Sequence, residues 1–158
     1  MSDENIKTIS LEDKDYPKIL KEIHDPPKEL YVRGNFIKED EIAIGVVGTR
    51  SYTSYGKQVA YDIAGALAEA GITIVSGLAK GIDAFAHQAA LERGGRTIAV
   101  LGSAIDKDSI YPSCNRKLAD KITENGAVIS EYPPSTKSER WFFPQRNRII
   151  SGLSLGVL

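Results

Sequence analysis

The sequence predicts a doubly wound α/β fold of the Rossmann-like kind, a parallel sheet with helices on both faces. Short unbroken apolar runs recur from Glu41 onward, helical-period segments separate them, and a glycine closes each of the first three helices. An uninterrupted apolar strand needs cover on both faces, and strand–helix alternation with short connections supplies it.

The elements follow in order. Residues 42–47 read as the first buried strand and 54–70 as the first helix. In that helix Val59, Ile63 and Leu67 recur every fourth position beside Ala60, Ala64 and Ala68. Gly71 is a helix stop. Residues 72–76 make the second strand. A helix over 81–93 follows, with Ile82, Phe85, Ala86, Ala89 and Ala90 on one face, closed by Gly94 and Gly95. Residues 97–101 are the third strand, 113–125 the third helix ending at Gly126, 127–130 the fourth strand, and 145–154 the last helix. Residues 155–158 read as the opening of a fifth strand, so the domain over 41–158 is expected to be incomplete at its C-terminal end. Residues 1–40 differ. They read as an N-terminal extension with a short helix over 18–23 and a strand over 30–34, punctuated by Tyr16-Pro17 and Asp25-Pro26-Pro27.

Composition narrows the function. The chain has 158 residues, of which 42% are hydrophobic, enough for one domain with a real core. No apolar stretch approaches the ~18 residues that span a bilayer. The polar, acidic start argues against a signal peptide, so a cytoplasmic protein with no membrane contact is expected. The single cysteine, Cys114, excludes an internal disulfide and reads as an inert thiol; His24 and His87 form no metal pair. A net charge of −1 excludes a bulk-basic protein but leaves room for a local basic groove.

In open parallel sheets, ligands bind beyond the carboxyl ends of the strands. Those ends carry Gly48-Thr49-Arg50-Ser51, then Ser76-Gly77-Leu78-Ala79-Lys80-Gly81-Ile82-Asp83, then Gly102-Ser103 and Ser130-Glu131-Tyr132. The last helix opens with Pro144-Gln145-Arg146-Asn147-Arg148. Helix N-termini and glycines suit an anion, and Arg50, Lys80, Arg146 and Arg148 add cationic donors. A Gly-x-Gly-x-x-Gly turn, a P-loop and a Gly-x-Ser-x-Gly elbow are all missing, which argues against a nicotinamide oxidoreductase, a P-loop NTPase and an α/β-hydrolase. No cofactor is expected.

Several segments resemble one family. Gly48-Thr49-Arg50 with Tyr55-Gly56, the stretch from Ser76 to Asp83 with Ala86-His87 and Ala90-Leu91, Tyr111-Pro112 with Asn115, and the run from Phe143 to Ser154 are similar to the signatures of the DprA/Smf (DNA-processing protein A) Rossmann domain. They occur in order and, with the Pro-containing leader, cover most of residues 15–158. The resemblance implies binding of single-stranded DNA without catalysis, a homodimer, and loading of the RecA recombinase in natural transformation. It points to Arg50 and Lys80 as phosphate ligands, with Ser76, Gly77 and Arg146 lining the pocket and Gly48, Thr49, Gly81 and Asn147 completing it. Lys80 stands where arginine is more often expected, which keeps a phosphate contact and loses the bidentate fork. The family's N-terminal helical domain, the end of its sheet and its C-terminal winged-helix-like domain are not part of the matched sequence.

Each residue also has a plainer reading. Arg50 could pair with Asp83 or Glu131. Asp83, in the first turn of a helix, and His87, four residues on, are expected to support the loop through a structural hydrogen bond. Glu131 reads as structural support, although it is the one carboxylate at the rim that could do chemistry. Arg146 reads as the ligand and Arg148 as a structural tie, since two residues that close in sequence face different ways on a helix. Phe143 is expected to wedge into the core; Trp141 could stack a base or pack. The competing function is a nucleotide phosphoribohydrolase of the lysine-decarboxylase-like (LOG) group. Its Pro-Gly-Gly-x-Gly-Thr segment is absent, which leaves DNA binding preferred.

Overall fold

The computed structural model describes residues 5–158; residues 1–4 of the expected extension lie outside the described residues. The chain runs β1 (Lys7–Ser10), α1 (Lys18–Lys21), β2 (Glu29–Gly34), β3 (Ala43–Gly45), α2 (Ser54–Glu69), β4 (Thr73–Ser76), α3 (Ile82–Glu92), β5 (Thr97–Val100), α4 (Arg116–Glu124), β6 (Ala127–Ser130), α5 (Phe142–Gly152) and β7 (Gly156–Val157). A 3-10 turn over Lys38–Glu41 precedes β3 and another over Ser113–Asn115 leads into α4. The seven strands form one sheet in the order β1-β2-β6-β5-β4-β3-β7. Strands β3 to β7 pair in parallel, whereas β1 and β2 run antiparallel beyond β6.

Every strand from β4 to β6 is buried along its whole length, which is why each reads as an unbroken apolar run. One face packs on α2, α3 and α4 through Val46, Ala64, Ile74, Ala86, Leu118 and Ile122. The other face is covered by α1 and α5, with Leu20, Ile149, Ile150 and Leu153 against Val75, Ile98 and Ile129. Helix α2 starts where Thr53 accepts a hydrogen bond from the Gly56 amide at 3.0 Å.

Two segments differ from expectation. The N-terminal extension does more than pack on the domain: Tyr31, Val32, Arg33 and Gly34 of β2 pair with residues 127–130 of β6, and β1 adds an edge strand that the sequence pattern does not announce. Lys7–Ser10 has no apolar alternation to mark it. Helix α5 begins at Phe142 rather than Gln145. Pro144 therefore lies inside its first turn, where the missing N–H would have had no helical partner.

Phe143 is also not the wedge. Phe142 is the buried ring, stacked on Tyr132 at 3.8 Å, whereas Phe143 is half-buried and packs edge-on against Tyr111 at 5.5 Å. Trp141 stays exposed, edge-on to Phe142 at 4.4 Å.

The expected Asp83–His87 hydrogen bond is replaced by another. The Thr97 hydroxyl donates to the Ile74 carbonyl at 2.8 Å, so it must accept from His87 Nδ1, 2.6 Å away. That places a proton on Nδ1, and among the described residues the buried Nε2 has no hydrogen-bond partner. Burial first, then the Arg146 guanidinium, pushes the His87 pKa down to about 3. Asp83 is engaged elsewhere, as described below.

Two outcomes follow. Between its unfolded pKa near 6.5 and the folded value of about 3, His87 is protonated only in the unfolded chain. Stability is therefore lost as pH falls through that window. Urea unfolding at about pH 7 and about pH 4 should show this drop with proton uptake, and His87→Gln, neutral throughout, should make it shallower. Leu20, fully buried on α1, carries the extension into the core against α5. Leu20→Ala should lower unfolding free energy by about 2–5 kcal/mol, read as a lower urea midpoint at constant slope.

Candidate functional site

Strand order reverses at β3: β4, β5 and β6 succeed one another on one side, and β7 lies on the other. The loops after β3 and β4 leave the sheet next to each other at its carboxyl edge, beside that reversal and at the end where such folds bind ligands. The Ile82 amide donates to the Thr49 carbonyl at 3.2 Å, tying the loops together. Gly81 makes this approach possible. Its φ is +85°, and a Cβ there would stand 2.4 Å from the Thr49 carbonyl oxygen. Leu78, buried in the left-handed region at φ 57°, is held by Asn115 Nδ2 donating to its carbonyl at 2.8 Å.

Asp83 organises the crevice from inside. Its carboxylate, 5% exposed, accepts from the Gly48 amide at 3.2 Å and from the Gly77 amide at 3.1 Å. Burial pushes its pKa up, against the opposing pull of the Gly48 amide, the Arg146 guanidinium and the amides of Gly77 and Ala79. Arg146 faces it across the same space. It too is 5% exposed, with Nη1 donating to the carbonyls of Gly77 at 2.8 Å and Val100 at 2.7 Å and Nε donating to Asn147 Oδ1 at 3.1 Å. Arg146 thereby closes carbonyls at the ends of both β4 and β5. No room remains for a side chain at Gly77, where a Cβ would lie 2.7 Å from Arg146 Nη1 and 2.8 Å from Asp83 Oδ2.

These contacts redirect part of the expected site. The amides of Gly48 and Gly77 point at Asp83, an internal anion, and so do not await a phosphate. Ser76 is fully buried and donates its hydroxyl to the Val46 carbonyl at 2.6 Å, because strand alternation turns it into the sheet. Gly81 is buried beneath the Thr49–Arg50 loop. Glu131 does not pair with Arg50 or stand free for chemistry. It forms a two-pronged ion pair with Arg148 at 2.7 and 2.6 Å, and Arg148 also donates to the Asp25 and Gln145 carbonyls. This knot fastens β6, α5 and the N-terminal extension.

Arg50, Lys80, Thr49 and Asn147 remain exposed at the surface of the crevice. Arg50 pairs with neither Asp83 nor Glu131, and among the described residues neither Arg50 nor Lys80 has an ion-pair partner. The Thr49 hydroxyl instead shapes its own loop, accepting from the Ser51 amide at 3.1 Å. A cleft of about 220 Å³ opens between Arg50, Lys80, Tyr111, Pro112 and Phe143, with Arg146 in its wall. A wider hollow of about 700 Å³ adjoins it and adds Arg140 and Asn147. Sequence reasoning missed Tyr111 and Arg140 as lining residues. Tyr111-Pro112 was visible only as a family element, and Arg140 falls in an irregular segment that no periodicity places.

Known proteins share this architecture. Residues 7–158 match the family described as DNA recombination-mediator protein A. The chain is 45% identical over 157 residues to the DNA processing protein DprA of Bacillus subtilis (strain 168), covering 99% of this chain and 52% of that protein. It is 47% identical over 158 residues to Protein Smf of Synechocystis, covering 98% of this chain and 39% of that protein. Among solved structures it superposes on DNA processing protein A from Streptococcus pneumoniae with a TM-score of 0.88 at 42% identity, over 97% of this chain and 53% of that one. It superposes on DNA processing protein A from Helicobacter pylori, a structure described for its single-stranded DNA binding mode, with a TM-score of 0.84 at 34% identity, over 97% of this chain and 67% of that one. The chain thus spans about half the length of the Bacillus relative. Both the match over residues 7–158 and the shared architecture place this chain in the DNA recombination-mediator protein A family, the DprA/Smf proteins.

Proposed function

We propose that this chain is a single-stranded-DNA-binding module that holds backbone phosphates in the cleft between Arg50 and Lys80, without catalysis. One observation carries the reading: among the described residues these cations are exposed and have no ion-pair partner, while Asp83 and Glu131 are already engaged and Glu139 stands out on the wider hollow. A phosphate meets positive charge there without displacing an internal partner. The Helicobacter pylori structure described for its single-stranded DNA binding mode supports the choice of ligand. Arg146 acts from behind as the charge that sets the cleft wall, with Asn147 and Arg140 on the outer lip. The aromatic wall of Tyr111 and Phe143 gives a base a surface to lie on.

The same reading extends to the whole protein by family membership: a homodimer in the cytoplasm that passes bound DNA to RecA during natural transformation. Non-catalytic binding is favoured over a phosphoribohydrolase because the buried acid and the rim acid are both held in structural hydrogen bonds.

Fluorescence anisotropy with single- and double-stranded oligonucleotides at two salt concentrations tests this. Arg50→Ala and Lys80→Ala should each weaken single-strand binding roughly tenfold. Each should also flatten the log–log salt slope by about 0.7, the share of one phosphate on a single strand. Unchanged slopes in both variants would sink the site assignment, and release of free base from AMP by the purified protein would overturn the non-catalytic reading.

A further inference from the structure

A cluster of aromatic rings beside the cleft has no part in the fold's cores. Tyr52 lies in the loop after β3, two residues beyond Arg50, and Tyr55 opens the first turn of α2. Both are exposed, Tyr52 at 46% and Tyr55 at 80%. Tyr52 stands edge-on to Phe85 of α3 with ring centres 4.6 Å apart, and Lys57 Nζ sits 4.9 Å from the Phe85 ring centre. The flank is thus a short aromatic surface with a cation set into it.

Charge separates this end of α2 and α3 from the other. No aspartate or glutamate occurs between Ile42 and Tyr61, a stretch that contains Arg50 and Lys57. None occurs between Ala70 and Ile82 either, and the next acid, Asp83, is buried. Farther along the helices the surface turns acidic and internally paired, with Gln58 on Asp62, Tyr61 on Glu92 and Arg93 on Glu69. Exposed tyrosines and a lysine on an acid-free run that also carries Arg50 complement a polyanion whose bases have apolar faces. Arg50 and Tyr55 are five residues apart, so the chain between them spans at most about 17 Å, within reach of one continuous strand.

We propose that Tyr52 and Tyr55 form a second contact for single-stranded DNA, on which bases leaving the Arg50–Lys80 cleft stack while Lys57 faces the adjoining phosphate. This rests on the DNA-binding reading above and extends its footprint along the flank of α2. Stacking is tolerant of sequence, so the contact adds affinity for longer strands without adding base preference.

The test uses single-stranded oligonucleotides of roughly six and roughly twenty nucleotides, lengths on either side of a single small binding site. Tyr52→Ala combined with Tyr55→Ala should weaken binding of the longer strand about tenfold and leave the shorter one near the wild-type value. Its salt slope should stay unchanged, because a stacked ring releases no counterions. Tyr55→Ala alone alters only an exposed ring and guards against a loosened Phe85 cluster, while Tyr55→Phe keeps the stacking face and should bind as the wild type does. A longer strand with abasic sites outside the cleft should bind the wild type and the double variant equally. Unchanged affinity of the double variant for the longer intact strand overturns the proposal, as does a loss in Tyr55→Phe equal to that in Tyr55→Ala. Wild-type protein that binds neither strand overturns the DNA reading itself. A wild type that binds both strands, and loses both with Arg50→Ala, leaves that reading intact, so an unaffected double variant then counts against the tyrosines alone.

Discussion

The Asp83 carboxylate is the constraint on which the crevice depends. Glycine-rich loops after parallel strands expose amides that ordinarily invite an external anion. Here the protein supplies its own: Asp83 takes the Gly48 and Gly77 amides, and Arg146 faces it while closing the carbonyls of Gly77 and Val100. The charges balance one another in a space with little water, where either alone would be costly. Gly77 is glycine because this arrangement leaves no volume for a methyl group, and the loop of β4 is thereby fixed against the loop of β3. The edge is held in place by the chain's own groups.

That internal anion changes what the site can do. A phosphate cannot rely on backbone donors already facing Asp83, so it must be held by side chains that stand farther out. Arg50 and Lys80 are the side chains proposed for this, and their chemistry differs. A guanidinium offers a planar fork, while an ammonium is a compact charge on a mobile stem. Side-chain ligation on flexible stems suits a polymer that has to slide and be released, because no single phosphate position is rigidly prescribed. It also explains how a chain of net charge −1 can present a cationic cleft. Asp83 is buried and Glu131 is paired, so the exposed Arg50 and Lys80 outweigh the exposed Glu139 carboxylate on the adjoining hollow.

The parallel strands were legible because burial on both faces leaves an uninterrupted apolar run, and the sequence-derived positions of β4, β5 and β6 agree with the structure within a residue or two. The N-terminal edge was less so. Lys7–Ser10 has no periodic signal, and the strand read over 30–34 joins β6 through backbone hydrogen bonds that any residue can make, so its place in the sheet was not legible. At the site, sequence position revealed which loops meet but not which way groups point. Ser76 and Arg146 lie in the expected segments, yet strand alternation turns one inward and the carbonyls of β4 and β5 draw the other down. His87 illustrates the same limit. Helical spacing suggested Asp83 as its partner, but the Thr97 hydroxyl on β5 lies across the packed face, a relation that no local spacing encodes.

A cleft built on few cations has a thermodynamic consequence for how such a module works. Two phosphate contacts on a single strand give a salt slope of only about −1.4, a modest electrostatic contribution at physiological ionic strength. Useful affinity must therefore come from stacking, from more than one cleft acting on one strand, or from both. Two linked sites convert the second encounter into an intramolecular one and can raise avidity by roughly 10²–10⁴ without any new contact. Weak individual contacts then become an advantage, since each can open in turn while the strand stays bound. Under the proposed DNA-binding reading, a single tight anion hole at the Gly48 and Gly77 amides would obstruct such stepwise release. By filling that hole itself, Asp83 favours many replaceable contacts over one strong one.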